Sequence, residues 1–189
     1  MKPVRRDSLQ RADHIFTPCS GGIYYHHGIY VGKATVTNPK NNGEEQEIYD
    51  AVIHFLGFYK KSSCKPQCKR CFYTSQNMGV IITCLDCFLD GSLVYVYEYG
   101  VSYLTFNFKS NGSCSYWDSY PPDKVIRTAY CFLDKQSFGD YHLVFNNCES
   151  FATYCKTGNA MSNQALFGSG LPGAAAYIIA KGILWGIKE

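Results

Sequence analysis

Charge is scarce in this sequence. Lys, Arg, Asp and Glu make up only 17% of the 189 residues, and the net charge is +3. A dedicated duplex-DNA binder carries a much stronger basic stripe, so nucleic acid is not expected as a partner. Seven prolines and seventeen glycines are too few for a low-complexity chain. With 46% hydrophobic and 16% aromatic residues there is apolar material for one well-filled core. Long hydrophobic runs are also missing. The most apolar tract, residues 171–187, is interrupted by Pro172, Gly173, Lys181 and Gly182. It falls short of the roughly 20 apolar residues of a spanning helix. The first ten residues, MKPVRRDSLQ, are basic and polar, and the apolar core of a secretory signal does not follow. A cytoplasmic location is therefore expected. There, ten cysteines at short spacings point to metal binding or catalysis rather than to disulfides.

The chain reads as β structure first and helices later, which is an α+β pattern with an antiparallel sheet. Residues 23–31 (IYYHHGIYV) are rich in aromatic and β-branched residues and stop at Gly32, as a strand does. Residues 33–47, with Pro39, Asn41, Asn42 and Gly43, read as a loop or hairpin tip. Residues 48–55 (IYDAVIHF) form the returning strand. From Lys60 a polar, cysteine-bearing insertion runs to Cys87, after which 93–99 resumes as a strand and 107–118 is polar. Residues 121–135 predict a helix with proline at its start and Val125, Ile126, Ala129, Tyr130 and Leu133 on one face. A short strand at 141–145 precedes a second helix over 147–157, capped by Asn147 and stopped by Gly158.

The second helix begins at the residue of most chemical interest. Cys148 stands where unpaired amides and the helix dipole stabilise a thiolate. A nucleophilic thiol needs an imidazole within reach and a polar group to orient that imidazole. The chain has five histidines, and the candidate strands hold His26, His27 and His54. His26 and His27 are adjacent, so on a strand they point to opposite faces and only one approaches Cys148. Spacing alone does not choose between them. Cys155 reads as a small buried hydrophobe, and His14 and His142 as surface or satisfied core residues.

HHGIYVG at 26–32, VIHF at 52–55, TCLDCFL at 83–89, EYGVS at 98–102 and NNCESFATYCKTG at 146–158 together resemble the lecithin:retinol acyltransferase (LRAT) domain family, and its plant branch in particular. The likeness runs from about Asp13 to Gly158. It implies an α+β fold in which an antiparallel sheet packs on helices in the circularly permuted papain-like arrangement of the NlpC and LRAT enzymes. It also implies roles. The histidine opening the family's first strand motif falls on His26, the second histidine on His54, and the nucleophile on Cys148. The expected activity is a thiol acyltransferase or phospholipase A-type hydrolase, taking a glycerophospholipid or related acyl ester through a Cys148 thioester. The alternatives are an NlpC-like peptidase or amidase, and a membrane or protein interaction module that kept the fold without catalysis. Two departures from the animal members stand out. The spacing between His26 and His54 is longer, and Ser150 follows the NCE motif where those members have histidine.

Cys68-x2-Cys71 and Cys84-x2-Cys87 are separated by twelve residues, the spacing of a four-thiolate zinc site. One structural zinc is expected, with Cys64 as a fifth thiol nearby, and no cofactor is needed for catalysis. Lys60, Lys61, Lys65, Lys69 and Arg70, with Lys2, Arg5 and Arg6, offer a basic face toward anionic headgroups. Residues 1–158 thus read as the enzymatic domain, with the cysteine-rich insertion at 60–90. Residues 159–189 read as an amphipathic tail suited to peripheral membrane contact. Oligomeric state is not legible.

Overall fold

The computed structural model describes residues 2–19, 24–38, 41, 43–57, 66–108, 113–142 and 146–160. The fold is α+β. Strands β1 (His14–Cys19), β2 (Tyr24–Thr37), β3 (Glu45–Leu56), β4 (Gly79–Cys84) and β5 (Tyr95–Val96) form one antiparallel sheet in the order β4-β3-β2-β1-β5. Helix α1 (Leu85–Leu89) lies between β4 and β5, and α2 (Tyr103–Phe108), α3 (Pro122–Lys135) and α4 (Cys148–Thr157) follow the last strand.

The sheet is longer than the sequence suggests. Gly32 does not end β2. It sits at φ +74°, a left-handed conformation that glycine adopts without penalty, at a break in register between Tyr30 and Ala34. Beyond this bulge the strand continues to Thr37, and Ala34 and Val36 are buried while Thr35 and Thr37 are exposed. Most of residues 33–47 therefore belongs to the β2–β3 ladder, with pairs from Ala34↔Ile48 to Thr37↔Glu45. The tip is shorter than expected, closed by the Asn38 N–H donating to the Glu44 carbonyl at 2.8 Å.

The cysteine-bearing segment supplies the edge strand β4, which pairs with β3 from Ala51↔Cys84 to Leu56↔Gly79. Its outer edge is partly covered by Gln136, the left-handed residue ending α3. The Gln136 amide donates to the Val80 carbonyl at 2.7 Å and accepts from the Val80 N–H at 3.1 Å. The strand expected over 93–99 shrinks to Tyr95–Val96. Helix α2, rather than extended chain, opens the next excursion. Of the strand expected at 141–145, the described part is a single bridge between His142 and Asn146.

Each face of the sheet has its own apolar cluster. On one, Ile29, Val31, Ile53 and Phe55 meet Val125, Ile126 and Ala129 of α3 and Phe151, Ala152 and Cys155 of α4. On the other, Ile15 and Val52 meet Leu85, Phe88 and Leu89 of α1. Side chains alternate along a strand. Before the Gly32 bulge β2 therefore sends its odd-numbered side chains toward α4 and its even-numbered ones toward α1, and beyond it the parity reverses, so that Ala34 and Val36 join the first cluster.

Candidate active site

Helix α4 starts as its sequence dictates. The Asn147 side chain accepts the Ser150 N–H at 3.0 Å, and Gly158 closes the helix at φ +77°. Cys148 is therefore the first residue of the helix, and it is 3% exposed. Its Sγ donates to the carbonyl of Tyr25 at 3.7 Å, and the backbone N–H of His27 points back at it.

The sulfur occupies a fork in the sheet. The N–H and carbonyl of Tyr30 bond to residues 12 and 13 on the β1 side, so the odd residues of β2 present their backbone groups to β3. The β2–β3 ladder ends at Gly28↔His54. Past that point β2 pairs with β1 (Cys19↔Tyr24), while β3 goes on with β4 (Phe55↔Val80, Leu56↔Gly79). Cys148 reaches into this opening from the helix side and meets the His27 N–H, which a continued ladder would pair with Phe55, and the Tyr25 carbonyl, which it would pair with Gly57.

His26 lies between those two backbone groups, with its ring on the α1 face. Its Nε2 shares a 2.8 Å hydrogen bond with Nδ1 of His54, whose Nε2 is 3.0 Å from the Thr83 hydroxyl. The Phe88 ring covers both imidazoles, with centroids 5.0 Å from His26 and 5.3 Å from His54. Gly28 allows this approach, since a Cβ there would stand 2.8 Å from Val52 and 2.9 Å from Phe88. The structure thus joins two of the expected site residues, His26 and His54, side chain to side chain. It brings Cys148 to the His26 backbone. Among the described residues no hydrogen bond joins the sulfur to the His26 ring.

His27 points the other way. Its Nδ1 is 2.9 Å from Nε2 of His14, and Nδ1 of His14 is 2.7 Å from the Tyr99 hydroxyl. Phe16 stacks on His27 and Tyr97 on His14. His14 is accordingly a satisfied core residue, one of the two readings its sequence allowed, and His142 is exposed. Cys155 is fully buried, as read.

Burial dominates the electrostatics. It pushes the Cys148 thiol up to about 12, against the lowering effect of the His27 and Glu149 backbone N–H groups. It takes His26 down to about 4. The helix start alone does not outweigh desolvation of the thiol, so the resting pair is a neutral thiol beside a neutral imidazole.

Three neighbours escaped sequence reasoning. Thr83 is fully buried and ends the His26–His54 chain. Tyr141 lays its ring over Gly57, where a Cβ would collide with it, and its hydroxyl lies within hydrogen-bonding reach of the Cys148 thiol. Thr17, opposite His26 on β1, has a buried hydroxyl with no hydrogen-bond partner among the described residues. Thr83 opens the TCLDCFL motif, but nothing local gives it a contact with His54, and Thr17 and Tyr141 lie in no motif, because strand register and a distant loop bring them to the site.

The four cysteines of the paired motifs also converge. Sγ atoms of Cys68, Cys71, Cys84 and Cys87 all lie within 4.8 Å of one another, with Cys71–Cys87 at 3.6 Å and Cys68–Cys84 at 4.0 Å. Tetrahedral bonds of about 2.3 Å to zinc place thiolates at just such separations, so the cluster can hold a metal ion. Arg70 braces it from outside, pairing with Asp50 and Asp86 at 2.6 Å each. Arg6 pairs with the same Asp86 and Arg5 with Asp7, so three cations of the expected basic face already have carboxylate partners. Lys60, Lys61, Cys64, Lys65 and residues 171–187 lie outside the described residues. Among those described, no helix is long and apolar enough to cross a membrane.

Comparison with known proteins identifies the family of the chain. A family model described as lecithin retinol acyltransferase matches residues 7–161. Protein LEAD-SENSITIVE 1 of Arabidopsis thaliana is 36% identical over 155 residues, 82% of this chain. The chain spans 60% of the length of that curated relative. No solved structure matches.

Proposed function

The chain belongs to the lecithin retinol acyltransferase family, and from that premise we propose that it is a thiol acyltransferase or phospholipase A-type hydrolase. Its substrate is a glycerophospholipid or a related acyl ester, and its nucleophile is Cys148. The observation that carries this reading is the placement of the Cys148 sulfur in the strand fork beside His26, with Nε2 of His26 tied to His54.

The hydrogen-bond chain supports a definite proton path. When His54 donates from Nε2 to the Thr83 hydroxyl, its Nδ1 accepts from Nε2 of His26. Nδ1 of His26 then carries the lone pair and is the base. It takes the thiol proton as Sγ attacks the ester carbonyl carbon. The developing oxyanion is met by amide groups at the start of α4, with the Tyr141 hydroxyl as a further donor at the sulfur. The carbon–oxygen bond to the lysolipid breaks, the proton on His26 passes to the departing oxygen, and a Cys148 thioester remains. Water, an amine or a hydroxyl, deprotonated by His26, then attacks the thioester. The carbon–sulfur bond breaks and the thiol is restored. Because thiol and imidazole both rest neutral, proton transfer accompanies attack rather than preceding it.

The four-cysteine cluster in this reading holds one zinc. With four protein thiolates no coordination position stays open, so the ion braces structure and does not touch the ester. Residues 1–158 form the enzymatic domain, and residues 159–189 form a tail that contributes peripheral contact with the lipid surface. Incubation with mixed phospholipid vesicles followed by intact-protein mass spectrometry tests the chemistry. An acyl mass gain localised to Cys148 is expected. Lipid turnover that persists in Cys148→Ala would refute the assignment.

A further inference from the structure

We propose that the four-cysteine metal centre is a positioning device for the histidine pair, so that metal occupancy sets the competence of the thiol site. This rests on the reading that His26 and His54 serve Cys148.

One short segment carries both the ligands and the contacts to the imidazoles. Thr83, which bonds His54, is followed directly by the ligand Cys84. Cys87, another ligand, is followed directly by Phe88, whose ring covers His26 and His54. Two contacts that orient the imidazoles are thus each one peptide bond from a thiolate of the cluster.

Besides the thiolates, the segment is held by burial of Leu85, Phe88 and Leu89 against Ile15 and Val52 and by exposed ion pairs of Asp86 with Arg6 and Arg70, and its backbone adds little. Helix α1 has five residues, too few to be stable alone. Its cap residue, Cys84, makes no side-chain cap hydrogen bond, and its far end turns back through Asp90 in a left-handed conformation. The preceding strand is the sheet edge, and among the described residues only Gln136, at Val80, bonds its outer side. The other two ligands, Cys68 and Cys71, come from a tight turn in which the Phe72 N–H donates to the Cys68 carbonyl at 2.9 Å. A tetrahedral ion ties that turn to both ends of the Cys84–Cys87 step and fixes α1 against the sheet.

The consequence for His54 is specific. A hydroxyl at Thr83 accepts from Nε2 of His54 and so selects the tautomer that leaves Nδ1 of His26 basic. If the segment drifts when the ion leaves, His54 loses this acceptor and the base-competent arrangement loses its advantage. A hydrogen bond of this kind is worth roughly a tenfold change in rate.

The test compares the full chain with zinc bound, with zinc removed by a chelator under reducing conditions, and with zinc restored. It does so for wild type, Thr83→Val and Thr83→Ser. One readout is the imidazole NMR signals of His26 and His54, with those of His14 and His27 as internal controls. The other is the rate of Cys148 acylation by phospholipid vesicles. In wild type, zinc removal is expected to shift the His26 and His54 signals, leave those of His14 and His27 in place, and slow acylation about tenfold. Thr83→Val should be slow already and lose less than about twofold more, while Thr83→Ser should recover the metal response. Unchanged His26 and His54 signals, an equal loss in wild type and Thr83→Val, or failure of the chain to bind zinc would overturn the proposal. Should the zinc-free chain unfold, exchange of zinc for the larger cadmium in the folded protein replaces removal. A shift confined to His26 and His54 then supports the coupling, and no shift refutes it. If no chain is acylated under any condition, the proposed activity fails while the ring signals still decide the coupling.

Discussion

Two hydrogen-bonded histidine pairs stand back to back in this protein, one on each face of the sheet. His26 bonds His54 at 2.8 Å, and its sequence neighbour His27 bonds His14 at 2.9 Å. The side chains are chemically identical, and the strand alternation alone separates them. What differs is the surroundings. The first pair abuts the fork that holds the Cys148 sulfur and ends in the Thr83 hydroxyl. The second is sealed between Phe16 and Tyr97 and ends in Tyr99, with His14 and His27 at most 1% exposed. A histidine pair becomes a candidate for chemistry through what its outer nitrogen can reach, and the same pair enclosed on all sides is a piece of core.

The largest expected effect tests that contrast head on. His26→Ala should slow acylation by about two to four orders of magnitude and leave the fold intact. His27→Ala should leave the rate within a few-fold but lower stability by about 1–3 kcal/mol, since His14 loses its partner in a dry site. Initial rates and urea unfolding on both variants measure this, and the reverse pattern would exchange the roles of the two faces.

Acid sharpens the comparison next. Burial keeps His14, His27 and His54 well below the ordinary histidine value of 6.5, and takes His26 to about 4. The unfolded chain binds protons below pH 6.5 that the folded chain refuses. The stability contributed by neutral burial is therefore complete above about pH 6.5 and is lost as pH falls. The slope approaches about 1.4 kcal/mol per pH unit for each buried histidine. Unfolding free energies at pH 7, 6 and 5 should show this decline, and His27→Phe should remove one histidine's share of it. A slope untouched by that substitution would mean His27 is not held neutral.

Smaller effects fall on the supporting groups. His54→Gln should retain roughly a tenth of the acylation rate, because an amide still holds Nε2 of His26 by a hydrogen bond. Tyr141→Phe should cost a few-fold in acylation with little change in stability, as the ring remains over Gly57. A loss as large as that of His26→Ala would move Tyr141 into the central role.

Much of the site was legible before any coordinates. Asn147 and Gly158 marked both ends of α4, and alternation separated His26 from His27. The apolar spacing of 121–135 gave α3. What stayed hidden was non-local or disguised. The outer half of the β2–β3 hairpin alternates small apolar residues with threonine, which reads as polar loop until Gly32 is seen as a bulge. β4 begins inside a cysteine-rich stretch whose composition suggests an excursion rather than a strand. Thr83 stands in the TCLDCFL motif with no hint of its partner, and Thr17 and Tyr141 carry no local signature at all, because only pairing register and a chain reversal bring them to His26 and Cys148.

The fork in the sheet has one more consequence. While Cys148 carries its proton, its sulfur takes the place of a strand at the fork and donates to the Tyr25 carbonyl. An acylated sulfur has no proton to give. Every thioester formed there would remove the thiol's hydrogen bond to that carbonyl, and every deacylation would restore it. The covalent intermediate would then announce itself in the vibrational spectrum of a single peptide bond, and isotopic labelling of the Tyr25 carbonyl would let that bond be watched during turnover.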